Sequence, residues 1–202
     1  EVDAVPLIPQ KIRRPGPDPK AITAALQCLG RAKHPLIVIG AGANRKLVRK
    51  HLRAFIEKTG IPFVTTQMGK GVEDERSPHY LGTTALSAGD FVHGAIAKAD
   101  AILMVGHDIT EKPPLLPQGS SSPEVVHINF YQAEVDDVYA PSLEVIGDIA
   151  HTFWAMTEQV TTLPQWNFES FYAFRDALNA QLASESTLST FPLRPERLVA
   201  DI

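Results

Sequence analysis

Short hydrophobic runs alternate along the chain with segments of helical periodicity. Five short runs contain consecutive apolar residues, which is typical of strands that are buried on both faces of a sheet. They cover residues 36–39, 63–66, 101–105, 124–129 and 143–146. Because strands that alternate with helices form parallel sheets, we expect a doubly wound, Rossmann-like α/β fold with about six mostly parallel strands and helices on both faces.

Capping residues predict where the helices begin and end. Asp18 followed by Pro19 is a favourable helix start, and Gly30 suits the C′ position of that helix. Asn44 is the expected N-cap of the second helix, which Gly60 should end. Two further helical patterns cover residues 91–98 and 149–160.

The two ends of the chain differ from its centre. Residues 1–17 are rich in proline and charge and predict an extended linker or a disordered terminus, whereas residues 18–161 hold the α/β pattern. Residues 162–202 contain an aromatic-rich helical pattern, a connector with prolines, and the first turn of another helical pattern. We therefore expect 162–202 to be a helical connector, and the chain to be a fragment of a longer polypeptide.

Glycines and small polar residues follow the predicted strands. They stand at residues 40–42, 67–69, 106–108, 129 and 147–148. The carboxyl ends of parallel strands meet at one edge of a sheet, where ligands of such folds bind. This pattern indicates a cleft for a phosphate-bearing or polar ligand, although each glycine taken alone could simply permit a sharp turn.

The glycine turn after the first strand is only half of a dinucleotide-binding fingerprint. Gly40-Ala41-Gly42 begins the motif, but Arg45 stands in place of its third glycine. No acidic residue ends the second strand, where residues 65–67 are Thr, Thr and Gln. A standard NAD site is therefore not favoured.

Other polar residues give weaker signals. The seven histidines include no pair at i, i+4, so a zinc site is not indicated, and His107 and His127 are interpreted as structural, hydrogen-bonded residues. The acidic runs 73–75 and Asp136-Asp137 are interpreted as solvated loops. No nucleophile elbow or P-loop occurs in the sequence.

Composition narrows the functional classes. With 202 residues and a net charge of −4, the chain lacks the basic surface that nucleic-acid and anionic-membrane binders need. No apolar run approaches the roughly 18 residues of a membrane helix. The single cysteine, Cys28, is expected in the core; it excludes an internal disulfide and suits a reducing compartment. We expect a globular cytoplasmic protein.

Several of these segments, in this order, resemble the central domain of thiamine-diphosphate-dependent enzymes, nearest to acetolactate synthases and related 2-oxo acid decarboxylases. Two longer runs cover residues 34–42 and 59–71, the latter reading Thr-Gly-Ile-Pro through Met-Gly-Lys-Gly. Shorter pieces stand at residues 80–82, 99–100, 106, 126–129 and 147–148. The resemblance implies a domain of the DHS-like NAD/FAD-binding type.

The resemblance also implies a division of labour between domains. In the family, thiamine diphosphate and Mg²⁺ are held between a pyrimidine-binding domain and a diphosphate-binding domain, both of which lie outside the resembling segment. The parent enzyme would be a homodimer or homotetramer that decarboxylates a 2-oxo acid such as pyruvate and joins the product to a second 2-oxo acid. The central domain would serve assembly, and alone it should be inactive.

Two sets of site residues follow from the pattern and the resemblance together. A loop that approaches the active site would comprise Gln67, Met68, Gly69 and Lys70. A nucleotide cleft for FAD or ADP would comprise Gly40, Ala41, Gly42, Asn44, Gly82, Thr83, Gly106, His107, Asp108, Asn129 and Asp148.

One departure from the family pattern argues against FAD. Flavin-containing members have an arginine soon after the glycine that corresponds to Gly106, whereas this chain has His107-Asp108-Ile109, as in catabolic acetolactate synthases that work without FAD. The Asp108 charge would also repel a diphosphate, so we expect weak or no FAD binding. The alternatives are a non-catalytic nucleotide-binding or assembly module, and an NAD-dependent deacylase or dehydrogenase of similar fold.

Overall fold

A computed structural model describes residues 14–84, 91–108, 110–111, 122–135, 139–162 and 164–202. Its centre is a six-stranded, all-parallel sheet in the order β3-β2-β1-β4-β5-β6. This is the strand order of dinucleotide-binding Rossmann folds. Strands β1 to β3 follow one another toward one edge of the sheet and β4 to β6 toward the other, so that the order changes direction at the β1–β4 pair. The predicted fold class is confirmed. The strands are β1 Pro35–Ile39, β2 Phe63–Thr66, β3 Tyr80–Thr84, β4 Ala101–Val105, β5 Glu124–Asn129 and β6 Leu143–Ile146.

Helices cover both faces of the sheet. They are α1 Pro19–Arg31, α2 Lys46–Thr59, α3 His93–Ile96, α4 Ile149–Gln159, α5 Glu169–Ser186 and α6 Pro195–Ala200, with a short 3₁₀ turn at Ala41–Ala43. Ile37 and Ile39 of β1 point into the layer formed with α1, α2 and α4, whereas Leu36 and Val38 point into the layer with α3 and α5. Successive β1 residues therefore pack into opposite layers, as the period of a strand requires.

Strand β3 is the strand that the hydrophobic pattern did not identify. It lies at the edge of the sheet and is only partly buried. Gly82 and Thr83 interrupt its apolar character, and a half-exposed edge strand needs no continuous hydrophobic run. Pairing with β2 is what brings it into the sheet.

The helix boundaries agree with the capping signals at two positions and differ at two. Asp18 caps α1 by accepting a hydrogen bond from Lys20 N at 2.9 Å, and Gly60 ends α2 with φ +70°. The prediction for Gly30 was wrong, because α1 continues through it to Arg31. The prediction for Asn44 was also wrong: it closes the 3₁₀ turn, so that α2 begins one residue later.

The acidic run at 73–75 is not wholly solvated, which corrects the sequence interpretation. Glu73 is only 4% exposed and accepts a hydrogen bond from Arg53 Nε at 2.7 Å. Its neighbours Asp74 and Glu75 are partly exposed and pair with Arg76 and Lys70. The ion pair with α2 is what makes burial of the Glu73 carboxylate tolerable. The second acidic run, 136–137, lies outside the described residues.

Of the remaining expectations, the structure tests the one about Cys28 in the core but not the boundaries at the chain ends. Cys28 is buried as expected, and its burial raises the thiol pKa to about 12. Helix α5 packs through buried Phe171, and Phe174 lies against Gly94 of α3. Within the described residues, no helix is both long and apolar enough to cross a bilayer. The division into residues 1–17, 18–161 and 162–202 stays a prediction.

We expect Gly106→Ala to destabilise the protein by roughly 2 kcal/mol, because alanine rarely adopts positive φ and its Cβ would overlap a neighbouring backbone. Gly106 has φ +64°, and an added Cβ would lie 2.7 Å from the carbonyl carbon of Gly42. Gly30→Ala is the matched control: it lies inside α1 with nothing within 4 Å, so it should be neutral or stabilising by up to about 1 kcal/mol. Urea unfolding measures both, and equal stability of the two variants would show that the backbone at Gly106 tolerates a Cβ.

Candidate functional site

The turn after β1 packs directly on the end of β4. Gly40 N donates to Val105 O and Gly42 N donates to Gly106 O, both at 2.8 Å. A Cβ at Gly42 would lie 2.9 Å from Gly106 O, so the two backbones approach more closely than side chains would allow. The glycines at 42 and 106 therefore have a packing role that requires no ligand.

A buried carboxylate lies where the ends of β1 and β2 meet. Glu111 is 5% exposed, and its Oε1 accepts a hydrogen bond from Ala41 N at 2.6 Å. Its Oε2 accepts a hydrogen bond from the Thr66 hydroxyl. We call these two groups, the Ala41 amide and the Thr66 hydroxyl, the Ala41–Thr66 donor pair. Both Glu111 oxygens are thus bound by strand ends far away in sequence.

Sequence reasoning did not identify Glu111 as a site residue. It is a single acidic residue six positions after the last residue of β4, with no periodicity or motif around it. The backbone amide of Glu111 donates to Asp108 O at 2.9 Å. Its importance is visible only from partners that lie 45 and 70 positions away.

The loop after β2 is anchored at one glycine and exposed on either side of it. Gly69 N donates to Thr66 O at 3.1 Å and to Thr66 Oγ1 at 3.0 Å, and an added Cβ would overlap the Ile39 carbonyl. Gln67 is exposed and Met68 is 65% exposed. Lys70 Nζ pairs with Glu75 at 2.6 Å, and this hydrogen bond raises the pKa of Lys70. The loop thus has a fixed backbone and accessible side chains.

Gly82 and Thr83 lie on β3, two strands away from the β1 turn. The Thr83 hydroxyl is 2.9 Å from Thr65 Oγ1 and 2.7 Å from Tyr80 OH. Gly82 has φ +137°, and a Cβ there would lie 2.8 Å from Val92 Cγ2. With about 4.8 Å between neighbouring strands, the six strand ends extend over roughly 24 Å. The candidate residues are therefore spread along the strand-end edge, and their binding of a nucleotide stays a prediction.

A separate polar cavity lies at the ends of β4 and β5. It has a volume of about 190 Å³, and its lining includes His107, Asp108, His127, Tyr131 and Tyr139. Asp108 Oδ2 accepts from Tyr131 OH at 2.8 Å, and its Oδ1 accepts from the Thr110 amide and hydroxyl at 2.9 Å. These hydrogen bonds, that of the Thr110 amide first, lower the pKa of Asp108.

Two further candidate residues adjoin this cavity. Asn129 lies at the end of β5, where its Nδ2 donates to His107 O at 2.6 Å. His107 is 4% exposed, and its ring packs against Tyr139 at a centroid distance of 4.8 Å. The contacts of Asn129 and His107 are with the chain itself, and their binding of a nucleotide stays a prediction.

His127 is a structural residue with a fixed tautomer. Its Nε2 lies 3.1 Å from the Tyr131 carbonyl oxygen, which can only accept, so this nitrogen bears the proton. Its Nδ1 then accepts from Tyr139 OH at 2.7 Å. Burial lowers the pKa of His127 and raises that of Tyr139. The interpretation of His127 as a hydrogen-bonded structural histidine is confirmed.

Asp148 and Asn44 lie apart from these groups. Asp148 caps α4 by accepting from His151 N at 3.0 Å, and Arg14 Nη1 is 3.9 Å from its carboxylate. Asn44 borders a surface cavity of about 660 Å³ along the basic face of α2. Within the part of the chain that the structure describes, no three His, Cys, Asp or Glu residues are grouped so that they could hold a metal ion.

The strand order and the strand-end edge define a Rossmann-like domain, and comparison with known proteins shows its family. The family described as "Thiamine pyrophosphate enzyme, central domain" matches residues 22–156, about two thirds of the chain. The chain therefore belongs to the thiamine pyrophosphate enzymes, as their central domain. The resemblance seen in the sequence is confirmed.

Curated relatives differ in the reactions that their names describe. Oxalyl-CoA decarboxylase of Escherichia coli K12 is 30% identical over 177 residues, which is 84% of this chain and 29% of the relative. Acetolactate synthase of Bacillus subtilis is 30% identical over 136 residues, or 65% of this chain and 23% of the relative. Mouse 2-hydroxyacyl-CoA lyase 1 is 28% identical over 180 residues, or 83% and 30%. The chain spans less than a third of the length of these relatives.

We expect His127→Gln to weaken the loss of stability in acid. Because burial lowers the pKa of His127, the unfolded chain, with an ordinary pKa of about 6.5, takes up a proton at pH values where the folded protein does not. Stability is therefore full above about pH 6.5 and falls as the pH drops toward the folded value, by up to about 1.4 kcal/mol per pH unit.

Glutamine keeps one donor and one acceptor at this position but does not titrate. Urea unfolding between about pH 8 and pH 5 should give a shallower pH dependence for the variant than for the wild type, with the values at about pH 8 serving as the baseline. Identical pH dependence of the two proteins would show that burial does not depress the His127 pKa.

Proposed function

We propose that this chain is the central domain of an acetolactate-synthase-type enzyme. The complete polypeptide would decarboxylate a 2-oxo acid such as pyruvate and join the product to a second 2-oxo acid. The family match over residues 22–156 and the acetolactate synthases among the relatives support this proposal. Thiamine diphosphate supplies the electron sink for decarboxylation when it is bound.

The described residues do not themselves form a thiamine diphosphate site. They contain no cluster of metal-ligating side chains suited to Mg²⁺. The Ala41 amide in the turn after β1, which could otherwise bind a phosphate, already donates to Glu111. We therefore expect the cofactor and Mg²⁺ to be held by a pyrimidine-binding and a diphosphate-binding domain of the same polypeptide, in a homodimer or homotetramer.

The proposed contribution of this domain to the active site is the loop after β2. Gln67 and Met68 are exposed while Gly69 holds the backbone against the ends of β1 and β2. A fixed backbone with accessible side chains can position a substrate without further loss of backbone conformational entropy. We propose that Gln67, Met68 and Lys70 face the bound substrate, with the Lys70 ammonium held in place by Glu75.

A second candidate function is an acyl-CoA decarboxylase or lyase. The observation that favours it is that oxalyl-CoA decarboxylase and 2-hydroxyacyl-CoA lyase 1 match 84% and 83% of this chain, a larger share than the 65% to 79% that acetolactate synthases match. In that case the substrate of the complete polypeptide would be a CoA thioester. Family membership and the lack of an acidic residue at the end of β2 both disfavour the NAD-dependent alternative.

The two candidates differ in substrate, and the complete polypeptide can be assayed for both. With thiamine diphosphate and Mg²⁺ present, we expect acetolactate and carbon dioxide from pyruvate, and no turnover of oxalyl-CoA or 2-hydroxyacyl-CoA. The opposite substrate preference would establish the second candidate. Residues 1–202 alone should release no carbon dioxide from pyruvate, and release by the pure chain would refute the division of labour.

The same assay tests whether the loop after β2 contacts the substrate. We expect Met68→Ala to lower kcat/KM about tenfold by removing a side chain that contacts the substrate. Leu47→Ala is the matched control, because Leu47 is also an exposed apolar residue, 62% exposed against 65% for Met68, but lies on the outer face of α2. Equal kcat/KM of the two variants would show that the loop does not face the substrate.

A further inference from the structure

The amides of the turn after β1 are already used by the protein. A nucleotide phosphate bound at such a turn accepts hydrogen bonds from backbone N–H groups. Here four of the five amides donate to backbone carbonyls: those of Gly40, Gly42, Ala43 and Asn44 donate to Val105, Gly106, Gly40 and Ala41. The fifth amide, Ala41 N, donates to the Glu111 carboxylate at 2.6 Å. Glu111 thus accepts a hydrogen bond from the one amide of this turn that does not donate to a backbone carbonyl.

We propose that Glu111 determines ligand specificity at this edge by excluding nucleotide diphosphates such as ADP and FAD. Its carboxylate binds the Ala41–Thr66 donor pair as an anionic ligand would. A diphosphate placed there would have to displace a buried carboxylate and would meet like charge at close range. The chain itself therefore supplies the anion at this position.

The carboxylate that opposes a nucleotide is then that of Glu111 and not that of Asp108. The sequence pointed to Asp108, but that carboxylate is bound by Thr110 and Tyr131 at the ends of β4 and β5. Glu111, in contrast, lies against Gly40: a Cβ added to Gly40 would be 2.9 Å from Glu111 Oε1. The negative charge that faces the β1 turn is therefore that of Glu111.

Removing this carboxylate should convert the donor pair into a binding site. In Glu111→Ala, the Ala41 amide and the Thr66 hydroxyl would lose their acceptor at a buried position. A buried donor without an acceptor is unfavourable, and an anion that enters the vacated space would satisfy both donors. The variant should therefore bind small carboxylates as well as nucleotide phosphates, whereas the wild type should bind neither at this position.

The test uses the complete polypeptide saturated with thiamine diphosphate and Mg²⁺, so that ADP cannot enter the cofactor site. Calorimetric titration with ADP should give at least about tenfold tighter binding for Glu111→Ala than for the wild type. Glu124→Ala is the matched control, because it also removes one carboxylate, an exposed one that pairs with Arg31, and should behave as the wild type does.

A second readout uses sodium acetate as the probe. Acetate should raise the melting temperature of Glu111→Ala in a concentration-dependent way, relative to sodium chloride at the same ionic strength, since a ligand that binds only the folded state stabilises it. The wild type and Glu124→Ala should show no such difference. Equal ADP affinity in the wild type and Glu111→Ala, or equal acetate response in Glu111→Ala and Glu124→Ala, would overturn the proposal.

Two conservative variants decide the question if Glu111→Ala does not fold. Glu111→Gln keeps the side-chain volume but removes the charge, and it should bind ADP at least about threefold more tightly than the wild type. Thr66→Val removes one donor but keeps Glu111, and it should show no gain. An unchanged ADP affinity in Glu111→Gln would refute the role of the charge. These measurements do not depend on which substrate the enzyme uses, so a failed substrate assay would leave them valid.

Discussion

The central strands of the parallel sheet have no solvent-exposed side, and the rest of the fold depends on this constraint. All five residues of β1 are buried, and the last four, residues 36–39, alternate between the two hydrophobic layers. Parallel strands need crossover helices, and these helices cover both faces of the sheet. Because all six strands run in the same direction, the loops that follow them leave from one edge. Burial of the sheet thus places the polar residues that follow the strands along that edge.

Polar groups at this edge are satisfied mainly by one another. The turn after β1 packs on Gly106 with backbone hydrogen bonds, Glu111 joins the ends of β1 and β2, and Asp108 is bound by Tyr131 and Thr110. A buried polar group that lacks a partner is costly, so a domain that does not use its glycine turn for a ligand must satisfy the amides internally. The fold resembles that of dinucleotide-binding proteins, but the fold alone does not define a ligand.

The family of thiamine pyrophosphate enzymes includes proteins that are named for different reactions. Relatives at about the same identity are named for different reactions, the decarboxylation of oxalyl-CoA in one case and the synthesis of acetolactate in another. We infer that the buried sheet of this domain is compatible with several reactions. Selectivity is then expected in exposed side chains such as Met68 and in the other domains.

The sequence by itself determined the elements whose cause is local. A continuous apolar run is enough to identify a central strand, and Asp18 and Gly60 act on the backbone next to them. Tertiary structure decided the rest. Strand β3 is half-exposed and joins the sheet only by pairing with β2. Glu73 and Glu111 look like surface residues in the sequence, yet both are buried, because their hydrogen-bond partners lie 20 to 70 positions away in the chain. Periodicity and motif spacing describe neighbours along the chain, whereas the stability of a buried carboxylate depends on donors that only folding brings to it.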